Sequence, residues 1–388
     1  MKYWVIFIAA SFVAFGSFAY VGGQIFSVRE LSLESQLQAS LVKNLLVSSV
    51  CQVSHDREIL DRNDCGGAGN KNISLVFVGD IMLSRAVGRQ MEKRCKDSSL
   101  YVVDGLSGGK SPNDCVKGDY EFPFRLSADF LKKADITFGN LEGPISDRGK
   151  NQGSEYSFRA DSRVVEGLAY AGFDVLSVAN NHIWDYGAVA LLDTVSILKP
   201  NEIYPVGAGE NFEEANSVKI IDSQGLRIGF LAFTNLYPKS LEADADSAGI
   251  SQWDVEDIKL KVESIKKDNL IDFIVVSLHW GNEYETSAGQ WQKNIAHGLI
   301  DAGADIIVGH HPHVVQEVEK YPSTSSGRVG IIFYSLGNFV FDQIFSKKTM
   351  EGLAGEIILE GNKIKDVKTY RVPINQYFQP EIKNGVSL

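Results

Sequence analysis

Six apolar runs in this chain each end, within a few residues, in a carboxylate, an amide or a histidine. Val76-Phe-Val-Gly-Asp80 ends at Asp80, and Ile136-Thr-Phe-Gly-Asn-Leu-Glu142 at Asn140 and Glu142. Leu176-Ser-Val-Ala-Asn-Asn-His182 ends at Asn180, Asn181 and His182, and Ile274-Val-Val-Ser-Leu-His279 at His279. Ile306-Ile-Val-Gly-His-His-Pro-His313 ends in three histidines, and Phe333-Tyr-Ser-Leu-Gly-Asn338 at Asn338. Short apolar runs closed by turn residues are buried strands. Helical spacing of apolar residues recurs between several of them, near 122–133, 161–171, 188–198, 254–267 and 290–302. Strands alternating with helices build an α/β fold, a parallel or mixed sheet covered by helices. Ligands of open α/β sheets bind in the crevice at the C-terminal strand ends. The pattern therefore predicts a fold class and the edge that carries the site.

Composition fits a folded domain: 44% hydrophobic and 22% charged residues are ordinary globular values. The net charge of −11 argues against a nucleic-acid partner, since affinity for phosphate backbones rests on Lys and Arg. An anionic substrate would need local positive charge, which a bound metal supplies.

No charge occurs between Lys2 and Arg29, and the apolar stretch runs through Phe26, long enough to span a bilayer. Residues 1–27 are expected to form a signal anchor; the alternative is a peptide cleaved near Ser17-Phe-Ala19. Either reading places the main domain outside the cytoplasm, periplasmic or extracellular, and the anchor makes it a single-pass protein of the cell membrane. Residues 28–72 read as a membrane-proximal amphipathic segment, with Leu33, Leu37, Leu41 and Leu45 every four residues, followed by a linker. Residues 73–375 carry the α/β domain and 376–388 a tail. Cys51, Cys65, Cys95 and Cys115 form an even set, as in exported disulfide proteins, with the connectivity open.

A lone Asp after a strand is ordinarily a cap or turn former, and a lone strand-end His ordinary satisfied structure. The set is harder to explain so: five of the seven histidines lie at strand ends, only His55 and His297 elsewhere. Asp, Glu, Asn and several His with few thiols suit zinc, manganese or iron. One or two such divalent ions could activate a bound water and polarise a phosphoryl or carbonyl oxygen. His182 has Asp185 three residues on; a carboxylate there fixes the imidazole tautomer for general acid work, or else Asp185 starts a helix and His182 is one more ligand. Arg85 could bind an anionic group bidentately or be a plain surface residue. Trp280 and Glu283 are expected to line a pocket with Asn338, Trp280 being equally suited to the core.

In order, GDIMLSR, NLEGPIS, VANNHIWDYG, LHWGNEY, GHHPHVVQ and YSLGNFVFD resemble the bacterial capsule-synthesis CapA family, which includes PgsA-type proteins of poly-γ-glutamate synthesis. The resemblance runs from about Ser74 to Asp342. It implies the four-layer α/β/β/α sandwich with mixed sheets of calcineurin-like metallophosphoesterases. It also implies metal ligands at Asp80, Glu142, Asn181, His279, His311 and His313, with His182 as the acid or transition-state stabiliser; beside these, Asp185 and Arg85 are the catalytic candidates read from the residues, and His310 is expected to support the ligands. Two departures stand out. Met82 occupies the place of the histidine in the superfamily's DxH motif, and Asn140 with Glu142 replaces its bridging aspartate. The expected function is synthesis or processing of an anionic extracellular polymer by a metal-dependent hydrolase or transferase. The alternative is a non-catalytic polymer-binding subunit of a membrane synthase or export complex.

Overall fold

A computed structural model describes residues 18–21, 24–27, 72–96, 118–268 and 271–388. Phe18–Val21 (β1) and Gln24–Ser27 (β2) pair antiparallel, Val21 opposite Gln24. A membrane anchor over residues 1–27 would be expected as a helix, and these eight residues are strand instead. Gly22 and Gly23 stand between the strands in the sequence, a pair favoured in two-residue hairpin connections and poor in helix interiors. The rest of the anchor, the amphipathic segment, Cys51, Cys65 and Cys115 lie outside the described residues. Among the described residues no helix is long and apolar enough to cross a membrane.

From Gly69 onward the chain forms one compact unit built on two mixed sheets. In the first, β3 (Asn72–Ile81), β4 (Ile136–Leu141), β5 (Val175–Ser177) and β6 (Tyr204–Val206) run parallel. β3 also pairs parallel with β15 (Asn338–Val340) and antiparallel with β16 (Glu351–Glu360); β17 (Lys363–Pro373) and β18 (Gly385–Ser387) extend that side. The segment expected as a tail is thus part of the sheet, and Gln379 Nε2 donates to the Phe122 carbonyl at 2.8 Å. The second sheet has β9 (Leu226–Thr234), β11 (Phe273–His279), β12 (Ile306–His310) and β14 (Val329–Phe333) parallel at its centre. β8 (Lys219–Ser223) and β13 (Val318–Pro322) flank them antiparallel. β7 (Ala208–Gly209) and β10 (Gly249–Ile250) make a small separate pair.

The sheets meet face to face. Phe77 on β3 lies 6.1 Å from Phe333 on β14, and Phe138 on β4 stacks on Phe230 of β9 at 5.9 Å. Strand side chains alternate between faces, so Phe273, Val275, Ser277 and His279 of β11 point to this inner core. Ile274, Val276 and Leu278 point outward, where they share an apolar cluster with Ile258, Val262, Ala296 and Leu299. Those come from α4 (Val255–Lys267) and α5 (Gln290–Ala302). α1 (Arg85–Lys96), α2 (Val165–Ala171) and α3 (Gly187–Leu198) pack with the first sheet: Val87, Leu168 and Val195 belong to its core. Sequence signals set the boundaries. Asp254 caps α4 by accepting from the Glu256 and Asp257 amides, while Gly172 (φ 83°) and Gly303 (φ 118°) end α2 and α5 in the left-handed conformation that glycine adopts without strain.

Candidate metal centre

Alternation brings Asn140, His279 and His310 to the inner face at the C-terminal ends of β4, β11 and β12. Asp80 reaches them by a different device. Between Phe77↔Phe138 and Asp80↔Asn140, β3 advances three residues while β4 advances two. This bulge reverses the parity that would turn Asp80 away from Phe77's face; re-aiming a side chain is a recurrent use of bulges.

Asp80 is fully buried. Its Oδ1 accepts from Asn140 Nδ2 at 2.9 Å and its Oδ2 from the His311 amide at 3.3 Å. His310 Nδ1 and His313 Nδ1 each lie 3.3 Å from its oxygens. Burial opposes ionisation, but the two imidazoles outweigh it and hold the carboxyl well below the usual range. Glu142 goes the other way. Its burial, with Asp80 and Glu283 nearby, pushes it well above that range despite the attraction of His313. Two carboxyls driven apart in one pocket mark a site with divided roles.

The histidines divide too. Burial and the neighbouring His313 push His311 down to about 3. Burial also opposes charge on His313, yet Glu142, Asp80 and a hydrogen bond to Asn338 raise it to about 9. His279 is lowered by burial and by His311; its nitrogens meet Asn140 Nδ2 at 3.3 Å and Asn181 Oδ1 at 2.8 Å.

On the open side stands His182. Its Nδ1 lies 2.8 Å from Asp185 Oδ2, which also accepts the Phe158 amide at 2.7 Å. Phe158 stacks on the imidazole at 3.9 Å, and His182 Nε2 is 3.9 Å from Glu142 Oε1. Asn180 ties this arm to the centre, donating to Asn140 Oδ1 at 3.2 Å and to the Leu141 carbonyl at 2.8 Å.

A divalent ion suits these residues. Glu142 Oε1, His310 Nε2 and His311 Nδ1 are buried without a hydrogen-bond partner, a costly arrangement unless something else binds them. Ligand atoms of Asp80, Glu142 and His279 lie within 4.8 Å of one another, as do those of Glu283, His311 and His313. Arg85, Tyr284, His311 and His313 all have φ between 53° and 96°, and backbone strain of this kind gathers at functional sites.

Four expected residues stand as follows. Trp280, expected either to line the pocket or to fill the core, is fully buried on the far face of β11 and donates to the Tyr334 carbonyl at 3.1 Å; it follows His279 directly, so alternation turns it away. Asn338 faces a ligand rather than a substrate: its Oδ1 lies 2.9 Å from His313 Nδ1, while its Nδ2 donates to Gln343 Oε1 and the Thr349 carbonyl. Glu283 stands with His311 and His313 as a possible ligand. Arg85 is not a free anion receptor: it pairs with Asp342 at 3.0 Å, with its guanidinium 5.3 Å from the Phe158 ring. Phe158, which packs the general-acid candidate, lies in a loop and carried no sequence signal.

Residues 74–343 match the family model described as bacterial capsule synthesis protein PGA_cap. The capsule biosynthesis protein CapA of Bacillus anthracis is 34% identical over 79% of this chain and 68% of its own length. The PGA biosynthesis protein CapA of Bacillus subtilis is 34% identical over 70% of this chain and 64% of its own. The chain thus spans about two thirds of these relatives. Among solved structures, the calcineurin-like phosphoesterase YfkN of Bacillus subtilis aligns over 82% of this chain and 90% of that one, at 14% identity and a TM-score of 0.36.

Proposed function

From membership in the bacterial capsule synthesis protein PGA_cap family, to which this chain belongs, we propose that it is a metal-dependent hydrolase or transferase acting on a capsule-type anionic polymer, of the poly-γ-glutamate kind, or on its precursor. In this reading it works on the outer side of a membrane beside synthase or export subunits. One observation carries the enzymatic part: the buried cluster of Asp80, Glu142, His279, His310, His311 and His313, left incompletely satisfied by protein atoms.

Asp80, Glu142 and His279 would hold one ion, and Glu283, His311 and His313 offer a second set. The ion would supply Lewis acidity toward a phosphoryl or carbonyl oxygen and acidify a water. The protein's own share is orientation and proton movement. Asp185 would hold the Nδ1 side of His182, which turns Nε2 toward Glu142; as the imidazolium, the ring could give its Nε2 proton to a leaving group and return to neutral. Phe158 holds the ring flat against that task. Asn338 fixes His313 through Nδ1, so its Nε2 points to Glu142 Oε1 at 3.6 Å.

The test is turnover of phosphodiester and γ-glutamyl polymers by the full chain loaded with Mn, Zn or Fe. Loss of about 100-fold or more in His182→Ala, with metal content retained, supports the reading. No turnover by the wild type, with normal polymer production in cells carrying His311→Ala and His313→Ala, contradicts it. That outcome would favour the polymer-binding subunit, for which the Asn140 amide at the heart of the cluster speaks: it donates to Asp80 Oδ1 at 2.9 Å.

A further inference from the structure

Beside the site, residues 342–349 form a loop whose polar and apolar members are sorted. Asp342 pairs with Arg85 and accepts the Ala86 amide at 3.1 Å. Gln343 accepts from Asn338 and donates to the Tyr284 hydroxyl at 3.3 Å. The buried Thr349 hydroxyl binds the Gln343 and Ser346 carbonyls at 2.6 and 2.9 Å. Between these anchors, Ile344 and Phe345 are 69% and 65% exposed. The ring of Phe345 meets that of Tyr284 edge-on at 5.1 Å, and Tyr284 lies 6.3 Å from His313. Lys347 and Lys348 follow after Ser346 and are exposed.

We propose that this tip docks on an anionic lipid surface, with Ile344 and Phe345 entering the interface and Lys347 and Lys348 at the headgroups. Adjacent exposed apolar side chains on a well-anchored loop call for a partner. The flanking lysines choose among partners. In a chain of net charge −11 an anionic bilayer would repel most of the surface, while two local cations attract it at short range. Lysine stems reach headgroups while an aromatic ring beside them sits at the boundary. A flat polymer-stacking platform would have no use for the branched Ile344. The same loop holds Asn338 and Arg85, so docking would present the His313 and His182 sides of the site to the membrane surface together. The proposal rests neither on residues 1–27 nor on the chemistry proposed above.

The test places a photoreactive benzoylphenylalanine in the full chain at Phe345, and as control at Val329. Val329 is 49% exposed and begins β14, at the strand end away from the site. The protein is illuminated on vesicles of phosphatidylcholine with phosphatidylglycerol. The expected result is lipid adducts at 345 and few at 329, with the 345 yield falling severalfold in Lys347→Glu with Lys348→Glu and on purely neutral vesicles. Equal yields at both positions, no lipid adduct at 345, or adducts to protein alone would overturn the proposal. Because the readout needs no turnover, its failure and that of the enzymatic reading are separate events.

Discussion

His297 and His313 each lie within hydrogen-bonding or ion-pairing reach of a glutamate, yet their surroundings differ in kind. His297 Nε2 meets both oxygens of Glu319 at 3.0 and 3.1 Å and stacks on Tyr321 at 3.9 Å. The Tyr334 hydroxyl completes the group, donating to Glu319 at 2.7 Å. Part of this cluster meets solvent, and none of these side chains has a buried polar atom without a partner. His313 sits nearly closed off from solvent among Asp80, Glu142, His310 and His311, where three buried atoms have none. The first cluster is finished by the protein. The second keeps buried atoms that a bound ion would satisfy, and that difference is what the metal-centre proposal rests on.

Substitutions in the two clusters should behave differently. The largest effect is expected from His311→Ala with His313→Ala. Ion binding at 100 to 1,000 times Kd stabilises a fold by about 3–4 kcal/mol, so the melting temperature should drop on chelation in the wild type and stay put in the double variant. His297→Ala should keep the full chelator response. Asp80→Asn is expected to be of the same size, at about 3–5 kcal/mol in denaturant titration, because it strips a buried pair of its anion. Asn338→Ala should leave the fold intact but weaken divalent binding about 10- to 100-fold, as expected when a ligand's orienting partner is lost; calorimetric titration reads it.

Glu319→Gln should cost no more than about 1 kcal/mol, like other partly exposed pairs. Its sign with pH is fixed. Burial opposes ionisation of Glu319, but Tyr334 and His297 hold its pKa below the usual value. Its contribution is therefore present above the unfolded-state value of about 4.3 and lost as pH falls through the lower folded value. The variant should match the wild type in acid and fall behind near neutrality.

Much of this was legible in the residues. The predicted helices at 188–198, 254–267 and 290–302 match α3, α4 and α5 to within a residue, because caps and apolar spacing are local. Strand ends marked the site because Asp80, Glu142, His182, His279 and the histidine triplet each follow an apolar run. What escaped depends on register and tertiary placement. The β3 bulge that aims Asp80 inward is a mismatch between two strands and exists in neither alone. Phe158 comes to His182 from a loop. Asn338 reads the same whether it faces a substrate or orients His313. Trp280 was readable in principle, since strand alternation puts it opposite His279. The N-terminal strand pair shows the converse: apolar length alone did not make residues 18–21 and 24–27 helical.

We propose the buried strand-end cluster as a metal centre. Elemental analysis of the full chain, purified with Mn, Zn and Fe present and then dialysed, tests it most directly. The account predicts at least one divalent ion per chain in the wild type and in His297→Ala, and nearly none in Asp80→Asn with His313→Ala, all three being folded by circular dichroism. A folded wild type that retains no ion, or a variant that retains as much as the wild type, would contradict it.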